Sequence, residues 1–154
     1  MTTTPPLFHI ALVHPEIPQN TGNVGRLCLA VGARLHLVHP IGFSTDEKAV
    51  RRAGLDYWKY VDVVEHADYD AFVAWRGDRR EHRFSSHGAR SYVHAPFAPD
   101  DVLVFGRESV GLPEALLPGS WGIPMVGPTR SLNLSNAVAV VAYAALQRVR
   151  PELF

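Results

Sequence analysis

Three short stretches hold more glycine, proline, amide, hydroxyl and charged residues than ordinary turns require. They are PEIPQNTGNVGR (15–26), GRESVGLP (106–113) and GPTRSLNLSN (127–136). Each follows an apolar run that reads as a strand, and ligands of open α/β sheets bind in the crevice beyond the carboxyl ends of the strands. Glycine allows positive φ and close approach, so such loops can present backbone N–H and C=O groups to a bound molecule. Taken singly, each has a simpler account. Asn20 and Thr21 could only cap a helix, and Gly22 could only turn the chain. Arg26 is harder to dismiss: it shares a face with Leu29, Ala30 and Ala33, where an unpaired charge is costly. Either an acid meets it inside a subunit interface, with Glu108 the obvious partner, or it serves a site; for Glu108 itself the alternative is ordinary surface solvation. In the last loop Ser131, Asn133, Ser135 and Asn136 precede a helix of mostly Ala and Val. One serine would suffice as N-cap, and the surplus points to ligand contacts.

The elements that must position these loops follow from periodicity. LFHIALV (7–13) is a buried strand. A helix follows, with Val24, Leu27, Cys28 and Val31 on one face and Gly32 as its stop. RLHLVHP (34–40) is a second strand, and DEKAVRRAG (46–54) a short helix opened by acids. Further strands are predicted near Tyr60 to Val64, His82 to Ser86, over DVLVFG (101–106) and over GIPMV (122–126). Helices are predicted near Tyr69 to Trp75, from Pro113, and over LSNAVAVVAYAALQRV (134–149). Strands alternating with helices imply a parallel sheet covered on both faces. The last helix, with Ala137, Ala139, Ala142, Ala144 and Ala145, is small on nearly every side, which suits a tight dimer or a threaded crossing.

Composition narrows the function classes. The chain has 154 residues, 47% hydrophobic and 19% charged, which suits one globular domain. Lys+Arg and Asp+Glu are both 15, so any nucleic-acid binding must come from local patches. The opening MTTTPPLFHIALVHP has no basic n-region or cleavage site, and no apolar run is long enough to span a membrane. A cytoplasmic protein is expected. The lone cysteine, Cys28, sits in LCLAV as a small buried hydrophobe. The eight histidines show neither HExxH nor zinc-site spacing and read as scattered surface residues. GRESVG is neither a Walker loop nor GxGxxG, and it lacks the GxSxG serine spacing.

Considered together, PEIPQNTGNVGRLCLAVGARLHLVHPIGF, RRAGLDYW, FGRESVGLP, and IPM followed by RSLNLSNAVAVVAY resemble the SPOUT superfamily of RNA methyltransferases. More narrowly, they resemble its small enzymes that 2′-O-methylate the wobble cytidine or uridine of tRNA anticodons. The resemblance runs from about Leu7 to Arg148. It implies an α/β fold with a mostly parallel sheet, helices on both faces and a C-terminal deep trefoil knot, an exception to the rule against threading. On this reading residues 1–6 are a disordered tail and 7–154 a single domain.

The resemblance also implies S-adenosylmethionine held in the knot, largely by main-chain groups. By position these are Phe84, Ser85, Gly106, Ile123 and Met125, then Ser131, Leu132 and Asn136. The stretch RFSSHG (83–88) departs from the usual threonine-rich form. The catalytic set carried over is Arg26, Asn20, Glu108, Ser131 and Asn133. A ribose hydroxyl is a poor nucleophile near neutral pH, so it must be aligned and relieved of a proton. Arg26 is expected at the 2′-hydroxyl and adjacent phosphate, fixed by Asn20 and Asn133, with Ser131 at the cofactor and Glu108 bracing the loops. No metal is required.

A homodimer with the site at its interface is implied, with Arg26 of one subunit addressing the cofactor of the other. The tRNA anticodon stem-loop would be contacted by Arg51, Arg52 and Lys59 and by the cluster RGDRREHR (76–83), whose alternative is a solvated face. Tyr57 and Trp58 could stack on a base or pack in the core. The competing functions are methylation of ribosomal RNA or another tRNA position, and RNA binding without catalysis.

Overall fold

LFHIALV lies at the middle of the sheet because both of its faces are covered. In the computed structural model, which describes residues 4–46 and 56–154, strand β1 is Phe8–Val13 and every residue in it is buried. Phe8, Ile10 and Leu12 enter one core, and Ala11 and Val13 the other, as the two-residue period of a strand dictates. Helix α1, Pro18–Val31, begins with proline in its first turn and buries Val24, Cys28 and Val31, with Leu27 half-buried beside them. Gly32, at φ 72°, ends it by returning its N–H to the Cys28 carbonyl. Burial pushes the Cys28 thiol well up from its ordinary pKa, so it acts as a core hydrophobe.

Strand β2, Ala33–Val38, pairs parallel with β1 from Phe8↔Ala33 to Val13↔Val38. Strand β3, Val63–His66, pairs with β2. Helix α2, Tyr69–Arg76, is capped by the Asp68 side chain accepting from Ala71 N–H. There follow β4, Glu81–Phe84; β5, Arg90–Ser91; β6, Val102–Phe105; β7, Trp121–Gly122; and α3, Leu134–Val149. The sheet order is β3-β2-β1-β6-β4-β7-β5, and each of these pairings is parallel. Helices α1 and α3 cover one face. Helix α2 covers the other through Phe72. No helix among the described residues is long and apolar enough to cross a membrane.

Several expectations need correction. The strand expected over 122–126 stops at Gly122, since Pro124 has no N–H for a ladder and Ile123 to Val126 leave the sheet. The strand expected near Tyr60 to Val64 begins at Val63, because residues 58–60 form a 3-10 turn that buries Trp58 and leaves Tyr60 exposed. The helix expected from Pro113 is a single 3-10 turn, Glu114–Leu116. The helix expected over 46–54, with Arg51 and Arg52, lies outside the described residues apart from Asp46.

The histidines are the largest departure. His9, His36, His66 and His82 are buried, because they occupy strand positions whose side chains turn inward. His9 Nε2 meets Asp100 Oδ1 at 2.8 Å, His9 Nδ1 meets His36 Nε2 at 3.0 Å, and His36 Nδ1 meets His66 Nε2 at 2.9 Å. With Asp100 ionised, one proton arrangement satisfies all three contacts: each ring donates from Nε2 toward Asp100, and His9 and His36 accept at Nδ1 from the next ring. Trp75 covers all three rings, and Arg79 lies over Trp75. Burial, with the charges of its neighbours, lowers His36 to about 2, so its ring is neutral.

Candidate active site

Beside β1 the strand order reverses: β1, β2 and β3 run to one edge, and the later strands fill the other. A cavity of about 640 Å³ opens there, beyond the carboxyl ends of β4 and β6. Its floor is aromatic, with Phe84 at the end of β4 stacked on Phe105 at the end of β6, ring centroids 5.0 Å apart. Around that floor stand Ser85, Gly106, Ile123, Met125, Ser131 and Leu132. Segments separated by more than forty positions in the chain therefore share one wall. Asn20 and Asn133 close the side nearest α1.

A continuous run of hydrogen bonds joins the three loops. The Glu108 carboxylate accepts from Glu16 N–H at 2.8 Å and Ile17 N–H at 3.0 Å. Asn20 Nδ2 donates to Glu108 Oε2 at 3.2 Å, and Asn133 Nδ2 donates to Asn20 Oδ1 at 3.1 Å. Asn133 Oδ1 accepts from the N–H groups of Ser135 and Asn136, capping α3. Glu108 thus supplies what the α1 sequence lacks, since its N-cap is Ile17 and has no capping side chain. Glu16 answers in the other direction: its Oε1 accepts from Ser109 N–H and Oγ, which hold the carboxyl below its ordinary pKa.

Gly106 makes the exchange possible. A Cβ there would lie 2.1 Å from the Gly111 carbonyl carbon and the Leu112 nitrogen, because the loop folds back through Gly111 N–H to Arg107 O at 2.8 Å. Only glycine lets the strand exit touch its own return and leave Glu108 aimed at α1.

The residues expected at the site divide into two groups. Asn20, Phe84, Ser85, Gly106, Glu108, Ile123, Met125, Ser131, Leu132 and Asn133 all line the cavity. Arg26 and Asn136 do not. Asn136 is exposed in the first turn of α3. Arg26 is exposed on the flank of α1, beside Leu29 and Ala30, and makes no ion pair among the described residues. Within one chain Arg26 and Glu108 do not pair: Glu108 meets the chain at the start of α1, and Arg26 lies nine residues along from Ile17, over two turns.

Lys59 is exposed with its ammonium 5.2 Å from the Tyr60 ring, and Trp58 is a core residue. Much of the basic cluster RGDRREHR is spent on internal pairs: Arg76 with Glu81, Arg79 with Asp100, and Arg80 and His82 with Asp101. The Glu16–Ser109 contact is not among the expected site features, and the acid just before the helix in PEIPQN is the sequence signal for it.

Residues 7–143 match the SpoU rRNA Methylase family. A Burkholderia ambifaria protein named tRNA (cytidine(34)-2′-O)-methyltransferase is 47% identical over 146 residues, covering 90% of this chain and 94% of its own. A solved structure described as giving insight into 2-OH methylation of C/U34 on tRNA superposes with TM-score 0.87 at 46% identity, covering 94% of this chain and 97% of its own. An AdoMet-bound rRNA methyltransferase from Sinorhizobium meliloti superposes with TM-score 0.81 at 25% identity, over 96% of this chain and 57% of its own.

Proposed function

The chain belongs to the SpoU rRNA methylase family, and from that premise we propose that it 2′-O-methylates the ribose of nucleotide 34, cytidine or uridine, in tRNA anticodons, using S-adenosylmethionine. The observation that carries this reading is the run Glu108–Asn20–Asn133, which ties three distant loops around one cavity. The cavity suits the cofactor: its volume is in the range of small-molecule sites, and Phe84, Ile123, Met125 and Leu132 offer apolar contact beside the Ser131 hydroxyl and loop backbone. When bound, S-adenosylmethionine supplies a methyl group already activated on a sulfonium.

The chain's own work is alignment. Asn20 and Asn133 hold the loops and the ribose side of the cavity, Ser131 contacts the cofactor, and Glu108 fixes the start of α1. Arg26 orients the 2′-hydroxyl and the neighbouring phosphate and assists loss of the proton. Arg26 lies outside the cavity of its own chain, so the reading includes a two-fold dimer in which it faces the partner's cavity. Exposed apolar groups on the two helices that pack together, Leu29 on α1 and Val140 and Tyr143 on α3, support such an interface. The proposal further includes a single domain over 7–154, a C-terminal deep trefoil knot, a cytoplasmic setting and anticodon-loop contacts from Lys59.

The test is methylation of purified tRNAs followed by nucleoside mapping. The expected product is 2′-O-methylated cytidine or uridine at position 34. Modification confined to ribosomal RNA or to another tRNA position would overturn the assignment.

A further inference from the structure

Among the described residues, no carboxylate pairs with Arg26. Both Glu108 oxygens are engaged by the Glu16 and Ile17 amides and Asn20, and Asp62 pairs with Arg34. What faces Arg26 is an aromatic ring: its Cζ lies 5.4 Å from the centroid of Tyr57, within the range of a cation–π contact.

That ring is held in place by its neighbour. Trp58 packs so closely on α1 that a Cβ at Gly25 would lie 2.8 Å from its Cζ3 and 3.3 Å from Val61 Cγ2. The 3-10 turn Trp58–Tyr60 is therefore seated on α1 at the residue before Arg26, and half-buried Tyr57 meets the guanidinium from one side. A carboxylate in the same place would neutralise the charge and occupy the N–H fork. A π face does neither, leaving the donors in the guanidinium plane available to phosphate and ribose oxygens.

We propose that Tyr57 is the positioning residue of Arg26, holding the guanidinium by its ring face in the orientation used for methyl transfer. The assignment rests on the functional reading above. It does not make Tyr57 a base-stacking residue.

The experiment compares wild type, Tyr57→Phe and Tyr57→Leu, with Tyr57→Met replacing the leucine variant should that fail to fold. The readouts are kcat and KM on tRNA at saturating S-adenosylmethionine, cofactor affinity by calorimetry, and melting temperature. Tyr57→Phe should stay within about twofold of wild type, while Tyr57→Leu should lose about tenfold in kcat. KM for tRNA and cofactor affinity should remain within about threefold. An unchanged kcat in Tyr57→Leu would overturn the assignment. So would a loss confined to KM, which would mean contact with RNA, or an equal loss in Tyr57→Phe, which would mean a role for the hydroxyl. Absence of tRNA methylation by wild type would instead remove the functional reading and this inference together.

Discussion

Two polar networks cross this chain, and they stand in opposite relations to open space. Glu108, Asn20 and Asn133 link three loops and line a cavity beyond the strand ends. His9, His36 and His66 link three strands on the α2 face, under Trp75 and Phe72, and reach solvent through half-exposed Asp100. Both are unbroken runs of hydrogen bonds, the histidine row among buried groups and the loop network from buried Asn20 out to exposed Asn133. The difference is what remains unused. The histidine row spends both ring nitrogens of His9 and His36 on its own members and Asp100, and binds strand to strand. The loop network braces the backbone, while Ser131 and the loop residues around it line the cavity. Buried polarity by itself does not mark a site; a wall with unspent groups does.

The comparison can be broken or sharpened in order of expected effect. Arg26→Ala should lower methyl transfer by at least about 100-fold while leaving S-adenosylmethionine affinity nearly unchanged, measured by single-turnover assay and calorimetry. A strong loss of cofactor affinity would put Arg26 in the binding wall and erase its separation from the cavity. His36→Leu should act the other way, destabilising the fold by about 2–4 kcal/mol in urea titrations with kcat retained below the melting transition, because it strands His9 Nδ1 and His66 Nε2. If kcat fell instead, the sealed network would have a functional role.

Glu108→Ala belongs to both categories. It should cost about 1–3 kcal/mol of stability, since three donors lose their acceptor, and weaken cofactor binding as the loops separate. A stability loss without any change in binding would mean that bracing and binding are independent. The pH dependence is the gentlest probe. His9, His36 and His66 have folded-state pKa values below 6.5, chiefly through burial, so the unfolded chain binds more protons between those values and 6.5. Stability should therefore be full above about pH 6.5 and fall as pH drops, approaching about 1.4 kcal/mol per pH unit from His36 alone. His36→Leu should flatten that slope.

The parts legible in the sequence are those written in local period or in loop composition. LFHIALV and LSNAVAVVAYAALQRV show their burial directly, and the latter coincides with α3, Leu134–Val149. The loops around Asn20, Gly106 and Ser131 announced themselves by surplus glycine and polar side chains, and they converge. The histidines did not, because a lone His every 27 or 30 residues becomes a row only once three parallel strands fix their register. Charge makes Glu108 a candidate partner for Arg26, but sequence does not reveal that within one chain the Glu16 and Ile17 amides take the carboxylate. Trp58 and Tyr57 were adjacent aromatics of one kind until packing against Gly25 separated their roles.

The distance in sequence between the start of α1 and its acceptor has a consequence for biosynthesis. The amides of Glu16 and Ile17 are made 92 and 91 residues before the carboxylate that receives them. Until the ribosome has released that later loop, the helix's opening turn has no acid to close on. Translation therefore closes the entrance to the first helix only after the loop following β6 has emerged, and nascent chains stalled earlier would carry that entrance frayed.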